Sequence, residues 1–382
     1  MRSTRRTALD ELIETISAND RNDNDAALEH FITQAGTAQI FTLLERFYVE
    51  YRRKSNPWQF YIEYVTGKLL VKGGKLRAED LFFIVKFSQR TKLLSDNLIV
   101  RIVRSQPLST IDGLVGWLVE EPGTFDELLV MLLHEIVIEY SRLPQVICPN
   151  LVRAARRIEQ IRHPLSVLPL ALLSVESQIA PDCCGAPGLK HTRRTPPGFR
   201  KLPFSAVQPM VDFTLCEDTT AEYQIQAQSA FLNWTNQSNG CLEIRRFTSS
   251  IVITIDNIRQ VLLGLNLACL NTITIETLSI GQTSATDITT VLFRCAANGG
   301  INNNSGLGSP YGRLAAWQSV TALVDALPGT ALSVVNAQME TYQWFGLECN
   351  SPWFNHSACD LAFVGLNPEG TRLVTIAATD TN

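Results

Sequence analysis

Apolar residues recur at helical spacing in one segment after another from Leu9 to about Glu176, with no run of the strict alternation that a half-buried strand needs. Segments near 8–17, 25–34, 38–53, 57–72, 78–93, 95–105, 109–120, 124–142, 149–162 and 165–176 each carry this spacing or a start signal. Short connections make them antiparallel neighbours, so residues 1–176 read as an all-helical domain, an irregular bundle or a HEAT-like array. The periodicity then breaks. Residues 177–208, SQIAPDCCGAPGLKHTRRTPPGFRKLPFSAVQ, exchange it for Pro, Gly and basic residues, the composition of a linker.

Beyond the linker, 209–382 mixes both periods. Strands are expected at 242–247, 251–255, 271–280, 331–335 and 342–347, and helices at 221–234, 258–267, 286–297 and 310–327. The end reads as a hairpin: 360–366 and 371–378 are apolar β-formers either side of Asn367-Pro368-Glu369-Gly370. An antiparallel terminal hairpin points to an α+β domain with a mostly antiparallel sheet rather than a doubly wound one.

Charge separates the same two halves. Residues 1–208 hold 27 Lys+Arg against 23 Asp+Glu, whereas 209–382 hold 6 against 14. The basic surplus is too small and too interrupted for a nucleic-acid surface. Apolar runs are broken by His134 or Pro169 before reaching the roughly 18 residues of a membrane span. The arginine-bearing start is interrupted by Asp10, Glu11 and Glu14, unlike a secretory signal. Nine cysteines, an odd number without a repeating spacing, suit reduced thiols in a cytoplasm.

The stretch with most chemical promise is 298–327, NGGINNNSGLGSPYGRLAAWQSVTALVDAL. Ser309 and Pro310 read as an N-cap followed by proline at the first helical position. Glycines before and after them allow backbone N–H groups to converge, as anion-binding loops do. Gly306, Gly308, Ser309, Tyr311, Gly312 and Arg313 are therefore the expected ligand-binding residues, with a small anionic ligand in view. The spacing is neither a P-loop nor a dinucleotide fingerprint, and no cofactor is implied.

A second cluster gathers at the open end of the hairpin, where His356, Asp360 and Asp380 are the candidate acid–base groups. If Leu366 pairs with Thr371, Asp360 and Asp380 point to opposite sides of the sheet. Cys359 beside His356 and Asp360 invites a Cys–His–Asp reading, against which adjacent strand residues face opposite ways. His134-Glu135 with Glu139 lacks the second histidine of a zinc helix and reads as a solvated acidic stripe. Cys183-Cys184 with His191 lacks a ligand set, so no metal site is expected.

YGRLAAWQS at 311–319, Trp353-Phe354 and the ending LVTIAATDTN resemble a family of uncharacterised bacterial proteins of unknown function, over about the last hundred residues. The resemblance implies no activity and marks Tyr311, Gly312, Arg313, Trp317 and Asp380 as matching positions. The expectation is a cytoplasmic interaction or ligand-binding protein with a protein partner on the helical half. The alternative is a hydrolase acting on an anionic or phosphate-bearing substrate at the glycine-rich loop.

Overall fold

A computed structural model describes residues 8–18, 21–54, 58–71, 76–92, 98–143, 148–180, 199–202, 214–300, 306–354 and 359–380. Two compact units emerge, Met1–Leu132 with Pro144–Arg157, and Leu133–Leu143 with Ile158–Asn382. The class is α+β: helices fill the N-terminal half, and an antiparallel sheet dominates the C-terminal half.

The helices of the first half are α1 (Ala8–Ala18), α2 (Arg21–Gln34), α3 (Thr37–Lys54), α4 (Trp58–Val71), α5 (Ala78–Thr91), α6 (Leu98–Ser105), α7 (Leu108–Glu120), α8 (Asp126–Tyr140) and α9 (Pro149–Ile158). Their buried stripes are those the spacing dictates. In α4, Trp58, Tyr61, Ile62, Val65 and Leu69 face inward. Phe47 of α3 meets Trp58 and Tyr61 at ring-centroid distances of 5.3 and 6.1 Å. Asp112 of α7 accepts from the Leu151 backbone N–H at 2.9 Å and from Asn150 at 3.1 Å, satisfying a donor in the first turn of α9.

The expected helix at 165–176 is absent. Short 3-10 turns at Pro164–Val167 and Ser174–Glu176 flank an irregular stretch. Pro169 withholds an N–H there, and Leu143 N–H and Leu172 N–H bond across to Leu170 O and Ser141 O instead. The carbonyls that a helix would use internally are thereby freed for a side chain described below.

The second half adds β1 (Arg200–Lys201), β2 (Leu215–Glu217), α10 (Ala221–Ala227), α11 (Leu232–Gln237), β3 (Cys241–Ser249), α12 (Ile258–Gly264), β4 (Ser279–Thr283), α13 (Ala285–Asn298), α14 (Gly308–Leu323), α15 (Leu332–Thr341), β5 (Gln343–Glu348), β6 (Leu361–Leu366) and β7 (Arg372–Thr379). The strands form one sheet in the order β1-β4-β5-β6-β7-β3-β2, every neighbour antiparallel. All residues of β6 are buried, so the hairpin lies inside the sheet with both faces covered. Phe247, Val261, Leu262, Phe345, Val364 and Leu373 form the core on one face.

Three expected strands differ. Residues 251–255 form no strand, and of 271–280 only the end is in β4. Residues 331–335 form the N-cap and first turn of α15, whose Val335 and Met339 bury at helical spacing; five residues are too few to oppose that. The hairpin register is offset by two. Leu366 pairs with Leu373, because the Asn367 side chain accepts from Thr371 and Arg372 N–H at 2.9 and 2.8 Å and widens the turn. An even offset leaves every side chain on its expected face.

Candidate functional site

The α14 helix begins at Gly308, earlier than the Ser309 cap implies, and Ser309 lies in its first turn with Oγ buried and without a hydrogen-bond partner. It also ends before Pro328. Asp325 takes a left-handed conformation at φ 57° and its carboxylate pairs with Arg246 and Arg372.

Arg313 points inward and is fully buried. Its Nε and Nη2 donate to the two carboxylate oxygens of Glu176 at 2.6 and 2.8 Å. Nη1 donates to Pro169 O and Nη2 to Ala171 O, both at 2.9 Å, and Nη1 faces His134 Nδ1 at 3.5 Å. A guanidinium has five N–H bonds, and these contacts use all five. Glu176 is as completely engaged, accepting also from Trp317 Nε1 and Leu173 N–H, both at 2.9 Å. Arg313 therefore offers no donor to a ligand at the glycine loop, because its guanidinium is committed to Glu176 and to backbone carbonyls.

His134 is buried beside this pair, and burial first, then the Arg313 charge, lowers its pKa to about 3. Its Nδ1 accepts from the guanidinium, which leaves the proton on Nε2. Glu135 is buried as well, because six consecutive residues of α8 from 133 to 138 are enclosed. A solvated stripe is excluded.

Gly306 and Gly312 serve close packing. A Cβ on Gly312 would lie 2.7 Å from Ala297 Cβ of α13, and one on Gly306 would lie 2.0 Å from Ala297 O. Gly308 has φ 71° with open space around it, and Tyr311 is half-buried with its ring 6.4 Å from that of His163. Gly312→Val is expected to cost about 1–3 kcal/mol by forcing α13 and α14 apart. A thermal melt unchanged from wild type would refute this close approach.

Of the hairpin candidates, His356 lies outside the described residues, as do Cys183, Cys184 and His191. Asp360 and Asp380 are both buried. Thr379 Oγ1 donates to Asp360 at 2.6 Å, while Ser238 Oγ lies 2.8 Å from each oxygen of Asp380. A Cβ on Gly300 would sit 2.2 Å from Asp380 Oδ2, so the glycine loop and the end of β7 do meet. They meet at a carboxylate, which repels an anion. Burial, then Asp380 and Asp360, pushes the Cys359 thiol up to about 12, leaving it protonated and a poor nucleophile at neutral pH. Among the described residues no group of three or more His, Cys, Asp and Glu is placed to hold a metal.

A concavity of about 560 Å³ opens in the same unit between α10, α14 and the start of α15. Trp317 lines it while its indole N–H is held by Glu176. Ile225, Gln226 and Ser229 come from α10 and the turn after it, Leu314, Gln318 and Thr321 from α14, and Val167 from the Arg313-anchored segment. Every one of its thirteen lining residues is uncharged. The sequence signals none of this as a site; a lone glutamate in the apolar run 165–180 was the one legible mark of a buried partner.

Fold and site together define an α+β protein whose C-terminal unit is built around a buried Arg–Glu pair and carries a neutral cavity. The chain belongs to the Family of unknown function (DUF6183), whose profile matches residues 26–382. The match takes in the helical half, so the kinship is not confined to the last hundred residues. Comparison with curated proteins and with solved structures returns no match. No helix among the described residues is long and apolar enough to cross a membrane.

Proposed function

We propose that this chain is a cytoplasmic bacterial binding protein whose α+β unit takes an uncharged, largely apolar ligand in the α10–α14 cavity and whose helical half offers a partner surface. The cavity carries the proposal: its volume of about 560 Å³ falls within the range of small-molecule sites, and its lining is apolar with a few amides and hydroxyls to set orientation. The amides of Gln226 and Gln318 stand at its walls as neutral donors and acceptors. The seven described cysteines are all free, as a reducing compartment leaves them. On the helical half, Trp117 is 46% exposed, an aromatic of the kind that anchors protein partners.

The hydrolase alternative has Asp380, where Gly300 meets it, as its acid–base group, against the repulsion that this carboxylate presents to an anionic substrate. One experiment separates the two. The neutral dye Nile red is titrated into wild type and Ala331→Trp, which places an indole at the exposed lip of the cavity. Saturable binding to wild type, weakened about tenfold or more in the variant at unchanged melting temperature, is the expected result. Equal affinity in both proteins would remove the cavity from consideration. Release of p-nitrophenol from p-nitrophenyl phosphate, lost in Asp380→Asn, would instead select the hydrolase.

A further inference from the structure

The helical unit holds a second concavity, of about 510 Å³, formed by one face of α4 and by Arg101 of α6. The α4 face is the outer one: Phe60, Glu63, Tyr64 and Gly67 recur at three- and four-residue intervals, opposite the buried stripe of Trp58, Tyr61 and Val65. The rings of Phe60 and Tyr64 stack at 6.2 Å with 27° between their planes, giving an aromatic floor.

Gly67 stands in the interior of α4, where glycine is a destabilising choice. Its lack of a side chain has a use: a Cβ there would lie 2.9 Å from Nη1 of Arg101, so the guanidinium rests against the bare helix backbone. Among the described residues no carboxylate or carbonyl accepts a hydrogen bond from that guanidinium, whereas the neighbouring Lys68 is neutralised by Glu29 at 2.6 Å. One turn away Glu63 is bonded to the Gln59 amide at 3.1 Å and to no cation. One concavity thus presents an unpaired guanidinium, an unpaired carboxylate and an aromatic stack.

We infer that this cleft binds a zwitterion carrying an aromatic ring, the chemistry of a free aromatic α-amino acid. The carboxylate lies on Arg101, where a charged, bidentate pair is available. The ammonium lies on Glu63, and the ring packs on Phe60 and Tyr64. A ligand bearing only one of the complementary groups leaves the other charge unsatisfied.

Isothermal titration of the full chain tests this with L-phenylalanine and L-tryptophan against 3-phenylpropionate, which lacks the ammonium, and phenethylamine, which lacks the carboxylate. The amino acids are expected to bind about tenfold or more tightly than either truncated compound. Arg101→Gln should abolish the advantage of phenylalanine over phenethylamine, and Glu63→Gln its advantage over phenylpropionate. Gly67→Ala should displace the flexible end of Arg101, weakening amino-acid binding about tenfold or more while leaving the melting temperature unchanged or raised. Absence of binding at millimolar amino acid overturns the inference, as does equal binding of all four compounds. A stability coupling between Arg101 and Glu63 in the ligand-free protein also overturns it, since the two would then be an ordinary surface ion pair.

Discussion

Glu176→Ala lowers the stability of the α+β unit by about 3–5 kcal/mol, the cost of leaving a buried arginine without its counter-ion. Both side chains are fully excluded from solvent, so water cannot replace the lost carboxylate. Four donors lose their acceptor at once: Arg313 Nε and Nη2, Trp317 Nε1 and Leu173 N–H. Glu176→Gln keeps one carbonyl acceptor but turns an amide NH₂ toward the donors that faced the second oxygen, so most of the loss is expected to remain. Urea denaturation followed by tryptophan fluorescence measures it, Trp317 beside Glu176 being one of the six tryptophans that contribute to the signal. The double variant Glu176→Ala with Arg313→Met should recover a large part of the single variant's loss, since removal of both charges leaves no uncompensated ion. A single variant as stable as wild type would mean that solvent reaches the guanidinium, contrary to its complete burial.

That pair also shows where sequence reasoning stops. The helical half, the antiparallel sheet and the terminal hairpin were legible because each is written in local periodicity: 3.6 residues for Trp58, Tyr61, Val65 and Leu69, and apolar β-formers either side of Asn367. The site was legible in part. Arg313 is marked by its place beside the glycines at the start of a helix, and the structure puts it in a buried ion-pair cluster. Its direction was not legible, because its partner lies 137 residues earlier in a segment whose spacing resembled a helix. Only the tertiary fold shows that Pro169 and Ala171 carbonyls are spent on the guanidinium. The glycines are ambiguous for a related reason. Convergent N–H groups and close helix packing ask for the same residue, and Gly312 against Ala297 is the second case.

His134 gives the unit an acid sensitivity of its own. Its pKa in the folded protein is about 3, against an ordinary 6.5, because burial and the Arg313 charge disfavour the imidazolium. Above pH 7.5 the folded and unfolded states both hold the ring neutral, and His134 contributes no pH dependence. As pH falls below 6.5 the unfolded chain takes up a proton that the folded unit refuses until about pH 3. The unfolded state binds more protons throughout that window, so stability is present above the unfolded pKa and declines by about 1.4 kcal/mol per pH unit below it. At pH 5 the loss is about 2 kcal/mol relative to pH 7.5. His134→Gln retains an acceptor for the Arg313 N–H and cannot titrate. The other ionisable groups are common to both proteins, so their effects cancel when the two stability curves are subtracted. The difference between wild type and His134→Gln should therefore change by about 2 kcal/mol between pH 7.5 and pH 5, in the direction that favours the variant in acid. Parallel curves across that range would show that the imidazole is protonated in the folded state, with Nδ1 turned away from Arg313.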